Sequence, residues 1–199
     1  MKTIGITGGV GAGKSTVLSY MQSRLGACVI EADKIGHLVM EPDGPCYDRI
    51  IELFGKDVIK SDKTIDRKRV SDVVFSNGEM LAALNGIIHP AVKEYIRRRL
   101  EEEKSCGRQL AVVEAALLLE DHYEVFCDEI WYIHTDQEIR IQRLMASRGY
   151  TRARAEKIIH NQASEEFFRA HADYVIENNG DLIRTHEQIE EGIRRNETL

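Results

Sequence analysis

Apolar positions along this chain gather in short continuous runs separated by stretches with helical spacing. Thr3-Ile4-Gly5-Ile6-Thr7 reads as a buried strand, after which Val17, Leu18, Met21 and Leu25 recur on one helical face. Gly26 is placed to end that helix, and Ala27-Cys28-Val29-Ile30 predicts a second strand. Further strands are predicted at 110–113, closed by Glu114, at 128–133 and at 174–176. Leu182, His186, Ile189 and Ile193 mark a closing amphipathic helix. Strands alternating with helices call for an α/β fold built on a parallel sheet.

Two stretches break this rhythm. Glu41-Pro42-Asp43-Gly44-Pro45 is a turn cluster that introduces short helical pieces at 47–54, 67–75 and 79–88. His89-Pro90 separates the last piece from a longer helix at 90–104, with Val92, Tyr95, Ile96 and Leu100 on its apolar face. The Arg97-Arg98-Arg99 and Glu101-Glu102-Glu103 runs on that helix read as a solvated surface. A simple crossover needs only one helix, so 42–92 is expected to be a helical substrate-binding insertion. The second stretch, 137–162, is helical and basic, with Arg140, Arg143, Arg148, Arg152 and Arg154. Gly149 is a candidate hinge there, and Thr151 a candidate N-cap. The expected organisation is one domain over 1–199. Its core would be 1–41, 93–136 and 163–199, with the insertion at 42–92 and a lid at 137–162.

At 199 residues, 43% of them hydrophobic, the chain can bury a sizeable core. Its net charge of −6 argues against a nucleic-acid partner, which would call for a basic face. Cys28, Cys46, Cys106 and Cys127 form no C-x-x-C pair, so thiols in a reducing compartment fit better than zinc or redox chemistry. No apolar run has the length of a signal peptide or a membrane span. The chain is expected to be cytoplasmic and not membrane-bound, with its oligomeric state left open.

The chemistry sits at Gly8-Gly9-Val10-Gly11-Ala12-Gly13-Lys14-Ser15-Thr16, which matches G-x-x-x-x-G-K-[ST] between a predicted strand and a predicted helix. Glycines let successive amides turn toward one anion, and the helix start adds unpaired donors and the positive end of its dipole. Residues 11 to 16 are therefore expected to wrap the phosphates of a nucleoside triphosphate. Lys14 would reach the β- and γ-phosphates and the Ser15 hydroxyl would hold magnesium. Asp33 follows the second strand, where ligands of open α/β sheets gather, and reads as a helix cap, a catalytic carboxylate, or both. Arginines of the lid suit phosphate because the guanidinium fork donates paired hydrogen bonds. Arg140 and Arg143 share one helical face. An N-K-x-D motif, the mark of a guanine-specific switch, is absent after the fourth strand. A compact kinase with an acceptor-binding insertion and an arginine-bearing lid remains.

Several motifs in this order resemble the dephospho-CoA kinase family. They are the phosphate loop, Val29-Ile30-Glu31-Ala32-Asp33, Ile65-Asp66-Arg67 with Val74-Phe75, and Ile88-His89-Pro90. Arg143-Leu144, Gln162 and Ala172-Asp173-Tyr174-Val175-Ile176 with Asn178 and Gly180 complete the set. Glu31 stands where the family usually has Asp. Ala116 to Glu120 replaces a Pro-Leu-Leu-Phe-Glu run, and Ser147-Arg148-Gly149 replaces Arg-Asp-Gly. The resemblance implies a three-layer P-loop kinase fold and transfer of the ATP γ-phosphoryl group to the ribose 3′-hydroxyl of dephospho-CoA. The products would be CoA and ADP, in the last step of coenzyme A synthesis. It implies Asp33, Lys14 and Arg143 as catalytic groups, with magnesium accompanying ATP. Arg140, Arg148, Asn178 and Gly180 would join the loop in binding ATP, while Arg67 and His89 would join Asp33 at the acceptor. The alternatives are a nucleoside or nucleotide kinase and, in a different class, a nucleotide-gated binding protein.

Overall fold

The computed structural model describes residues 1–195, which fall into two compact units. The first unit contains residues 1–30 and the chain from 103 onward; the second is 31–102. The expected insertion at 42–92 lies wholly inside the second unit.

The chain begins with β1 (Lys2–Thr7), α1 (Lys14–Leu25) and β2 (Cys28–Glu31). Gly26 ends α1 in the left-handed conformation, donating its amide to Met21 O. The second unit then supplies α2 (Ala32–Leu38), α3 (Tyr47–Phe54), α4 (Arg67–Ser76) and α5 (Gly78–Ser105). The N-cap of α4 is Asp66, whose carboxylate accepts from the amides of Lys68 and Arg69. The N-cap of α2 is Glu31, without a side-chain bond, so Asp33 lies in the first turn and does not cap it.

Residues 79–104 form one helix, not two. Pro90 and His89 both lie inside α5. A proline removes one helical bond and crowds the carbonyl four residues back. That residue is Gly86, which is exposed. Leu84, Ile87, Val92 and Ile96 are buried on both sides of the proline and hold the helix on one face.

The chain returns through β3 (Leu110–Glu114), β4 (Glu129–His134), α6 (Gln137–Arg148) and α7 (Arg152–His160). It ends the described part with α8 (Glu165–His171), β5 (Tyr174–Glu177) and α9 (Leu182–Arg194). Thr151 caps α7 through its hydroxyl, and Gly149 ends α6 in the left-handed conformation. Nothing in the apolar pattern marks α8, whose two turns begin at a Ser164 cap.

The sheet order is β2-β3-β1-β4-β5. β1 pairs parallel with β3 and β4, and β4 pairs parallel with β5. Ile6 is level with Glu114 on one side and Trp131 on the other, so β1 and β3 finish together at the loop that follows β1, while β4 runs on to His134. Ile4, Ile6, Val17, Met21, Trp131, Ile133 and Ile189 are fully buried in one cluster joining the sheet to α1 and α9. Each such side chain is worth about 1.5–3 kcal/mol relative to exposure, which anchors both ends of the phosphate loop. A smaller cluster of Ile141, Leu144 and Ala155 joins α6 to α7. Among the described residues no helix is long and apolar enough to cross a membrane.

Candidate active site

The loop between β1 and α1 is held from outside by its carbonyl oxygens. Ala12 O accepts from Asn178 Nδ2 at 2.7 Å, Thr135 Oγ1 at 3.0 Å and Arg143 Nη1 at 3.2 Å. Val10 O accepts from Arg140 Nε at 2.9 Å, while Val10 N donates to Gln162 Oε1 at 3.0 Å. With the carbonyls drawn outward, the amides of Gly11, Gly13, Lys14 and Ser15 make no backbone hydrogen bond among the described residues. These are donors at a helix start, the arrangement that receives an anion. Gly13 is the N-cap of α1 at φ +86°, and a Cβ there would lie 2.3 Å from Asn178 Nδ2. Only glycine fits both the backbone angle and the space.

Lys14, the first residue of α1, donates to Gly8 O at 2.8 Å and lies 3.5 Å from Glu114 Oε1. Its ammonium therefore lies folded against the loop beside a buried carboxylate. The Glu114 position was missed in the sequence. Its signal is an acid that closes an otherwise apolar strand, next to the strand that leads into the loop.

Two of the three candidate lid arginines meet at the loop. Arg140 also donates to Gln162 Oε1, and Arg143 donates to Asn178 O at 2.8 Å. Neither guanidinium has a carboxylate partner among the described residues; their acceptors are neutral oxygens. Burial pulls the Arg140 pKa below its usual value, as expected for a charge lacking full compensation. Such a pair attracts an anion at low desolvation cost, because the loop has already met that cost. Arg148, by contrast, is the exposed last residue of α6 and makes no bond to the loop. Arg152 is committed to Glu138 and Glu156.

Asn178 is 2% exposed, its amide spent on Ala12 O and Thr185 Oγ1. Its side chain therefore supports the loop, while Gly180, two residues on, is exposed. Gln162, one of the family motifs but given no role in the sequence, and Thr135, which nothing in the pattern marked, complete the same network.

In the second unit, Asp33 is exposed in the first turn of α2, and its carboxylate has no partner among the described residues. Neighbouring Glu31 is paired with Lys34 at 2.7 Å. Arg67 is exposed at the start of α4, and His89 is half-buried on α5.

A sequence profile described as dephospho-CoA kinase (CoaE) matches residues 2–184. The chain belongs to the dephospho-CoA kinase family. The dephospho-CoA kinase of Carboxydothermus hydrogenoformans is 39% identical over 186 residues, covering 94% of this chain and 90% of that one. Among solved structures, TT1252 from Thermus thermophilus superposes with a TM-score of 0.82 at 30% identity, covering 98% of this chain and 97% of its own. The dephospho-CoA kinase from Campylobacter jejuni gives a TM-score of 0.73 at 26% identity, covering 98% and 96%. The α/β P-loop kinase fold expected from the sequence is the fold of this family member.

The oxygen donors at the loop suit a hard cation. Ser15 presents an exposed hydroxyl directly after Lys14, and Glu114 supplies a carboxylate beside the ammonium. No group of three or more His, Cys, Asp or Glu side chains could enclose a metal among the described residues. Magnesium tolerates this, since it commonly takes one or two protein oxygens and completes its shell with water and substrate phosphates.

Proposed function

We propose that this chain phosphorylates the ribose 3′-hydroxyl of dephospho-CoA with ATP, giving CoA and ADP in the cytoplasm. The observation that carries the reading is the phosphate loop with its outward-tied carbonyls, free amides and two guanidiniums without anionic partners. The amides of Gly11, Gly13, Lys14 and Ser15 and the Lys14 ammonium bind the triphosphate, with the rest of 11–16 and the Gly180 turn as further ATP contacts. Arg143 and Arg140 offset charge on the transferring phosphoryl oxygens, which pass through a loose transition state. Asn178 acts by positioning the loop, and exposed Arg148 is the weakest ATP candidate.

Asp33 is the group that accepts or orients the proton of the attacking hydroxyl, a role its unpaired carboxylate supports. Arg67 and His89 belong to the acceptor-holding second unit. Magnesium, held through Ser15 and Glu114, would supply charge neutralisation on the phosphates. Its binding residues are oxygen donors, as its chemistry requires.

The test is an ADP-release assay that offers dephospho-CoA beside nucleosides and nucleoside monophosphates. Turnover strongly favouring dephospho-CoA supports the reading. Preference for a nucleoside or nucleotide, or slow hydrolysis indifferent to every acceptor, overturns it.

A further inference from the structure

The second unit carries an open cavity of about 510 Å³, and we propose that it seats the pantetheine arm of dephospho-CoA. This rests on the acceptor proposed above. The floor is one face of α5, where Ala91, Glu94, Tyr95 and Arg98 follow the i, i+3, i+4, i+7 spacing. Leu38, Val39 and the turn 41–45 form the facing wall.

The wall is built in advance of any ligand. Asp43 holds φ +69°, and a Cβ on Gly44 would lie 2.6 Å from Val39 O. Gly44 N donates to Glu41 O and Cys46 N to Val39 O, while Cys46 Sγ reaches Ile87 O on α5 at 3.5 Å. Pro42 and Pro45 stiffen the same turn. A non-glycine residue in the left-handed region costs free energy, and such strain concentrates at ligand clamps. A preformed pocket of this size lies within the range of small-molecule sites and avoids the cost of ordering a loop.

The lining matches one chemistry. Leu38, Val39, Pro42, Pro45, Ala91 and Tyr95 offer apolar surface, and Leu38 is 49% exposed with nothing over it among the described residues. Glu41, Asp43, Glu94 and Arg98 add charged groups to the same lining. A pantetheine arm carries a gem-dimethyl group and short methylene chains joined by two amides, so it needs apolar walls with a few polar handles. Of Arg97, Arg98 and Arg99, Arg98 alone lines the cavity, with its guanidinium 5.7 Å from the Tyr95 ring centre. The cavity wall begins on the helix that carries Asp33: Asp33 and Leu38 are five residues apart on α2, about 7.5 Å along the axis.

Two variants test this at saturating ATP: Ala91→Trp, which fills the cavity, and Tyr95→Ala, which strips its floor. Each should raise the KM for dephospho-CoA about tenfold and leave kcat within twofold. The inhibition constant of AMP competing against dephospho-CoA should not move, because AMP carries no arm. An unchanged KM in either folded variant, or equal losses for dephospho-CoA and AMP, overturns the assignment. Wild-type protein that phosphorylates dephospho-CoA while the variants behave normally sinks the pocket alone. Wild-type protein that ignores dephospho-CoA sinks the function reading and the pocket with it.

Discussion

Lys14 Nζ lies 3.5 Å from Glu114 Oε1 while donating to Gly8 O, so the ammonium that should meet the triphosphate is held by a carboxylate and a carbonyl. ATP must draw it away from both. The carboxylate, itself little exposed, also repels the incoming phosphates. Glu114→Gln should therefore tighten ATP binding in the absence of divalent metal by up to about tenfold, the scale of one partly screened charge contact. Titration of ATP into both proteins with a chelator present is the check. Weaker binding by the variant under those conditions would contradict a competing role for Glu114.

Asp33→Asn should lower turnover by about 10²–10⁴, the usual share of a positioned acid or base, and leave ATP affinity within twofold. The Asp33 side chain has no bond in the fold to lose, so stability should not change. Single-turnover rates beside ATP binding curves separate the two effects. Near-normal turnover would remove Asp33 from the reaction.

The strands and the phosphate loop were legible because their signals are local: apolar runs of three to six residues, and a motif of eight. The support of the loop was not. Ala12 O meets Asn178 across 166 residues and Arg143 across 131, and no local pattern records such pairs. Arg140, Arg143 and Arg148 looked alike in sequence because all three are arginines on one helix. Their difference lies in what each touches, and only the first two reach the loop. The break expected at His89-Pro90 failed for a related reason. Buried residues on both sides of Pro90 outweigh its local cost.

Gly13 and Asn178 should behave as one unit. Asn178→Ala removes two buried hydrogen bonds and should cost about 1–3 kcal/mol. In a chain of this size each kcal/mol is worth roughly 2–4 °C in Tm. Gly13→Ala adds backbone strain of about 1–2 kcal/mol to the clash with the Asn178 amide. Removing that amide relieves the clash but not the strain. The double variant should then lose less stability than the sum of the single losses, measured by denaturant unfolding. Strict additivity would show that the two residues do not press on each other.

The ends of β4 and β5 carry an acid-sensitive cluster. His134 Nδ1 pairs with Glu177, and its Nε2 lies 3.3 Å from Glu165 Oε2. Arg169 bridges the same two carboxylates at 2.6 and 3.0 Å. The Arg169 hydrogen bond is the main reason Glu165 titrates below its usual value. For Glu177 burial pulls upward, but the bonds from Arg169 and His134 outweigh it and the net shift is downward. Carboxylates held low in the fold take up protons more readily when unfolded. They therefore stabilise the protein above the ordinary Glu value of about 4.3, and that contribution disappears as pH falls through the lowered folded values. Arg169→Met should lower Tm at pH 7, and the gap to wild type should close as pH drops below about 4. Both partners are substantially exposed, so the gap at pH 7 should be small and shrink further in high salt. A gap that stays constant from pH 7 to pH 3 would mean that Arg169 acts through packing and not through its two carboxylates.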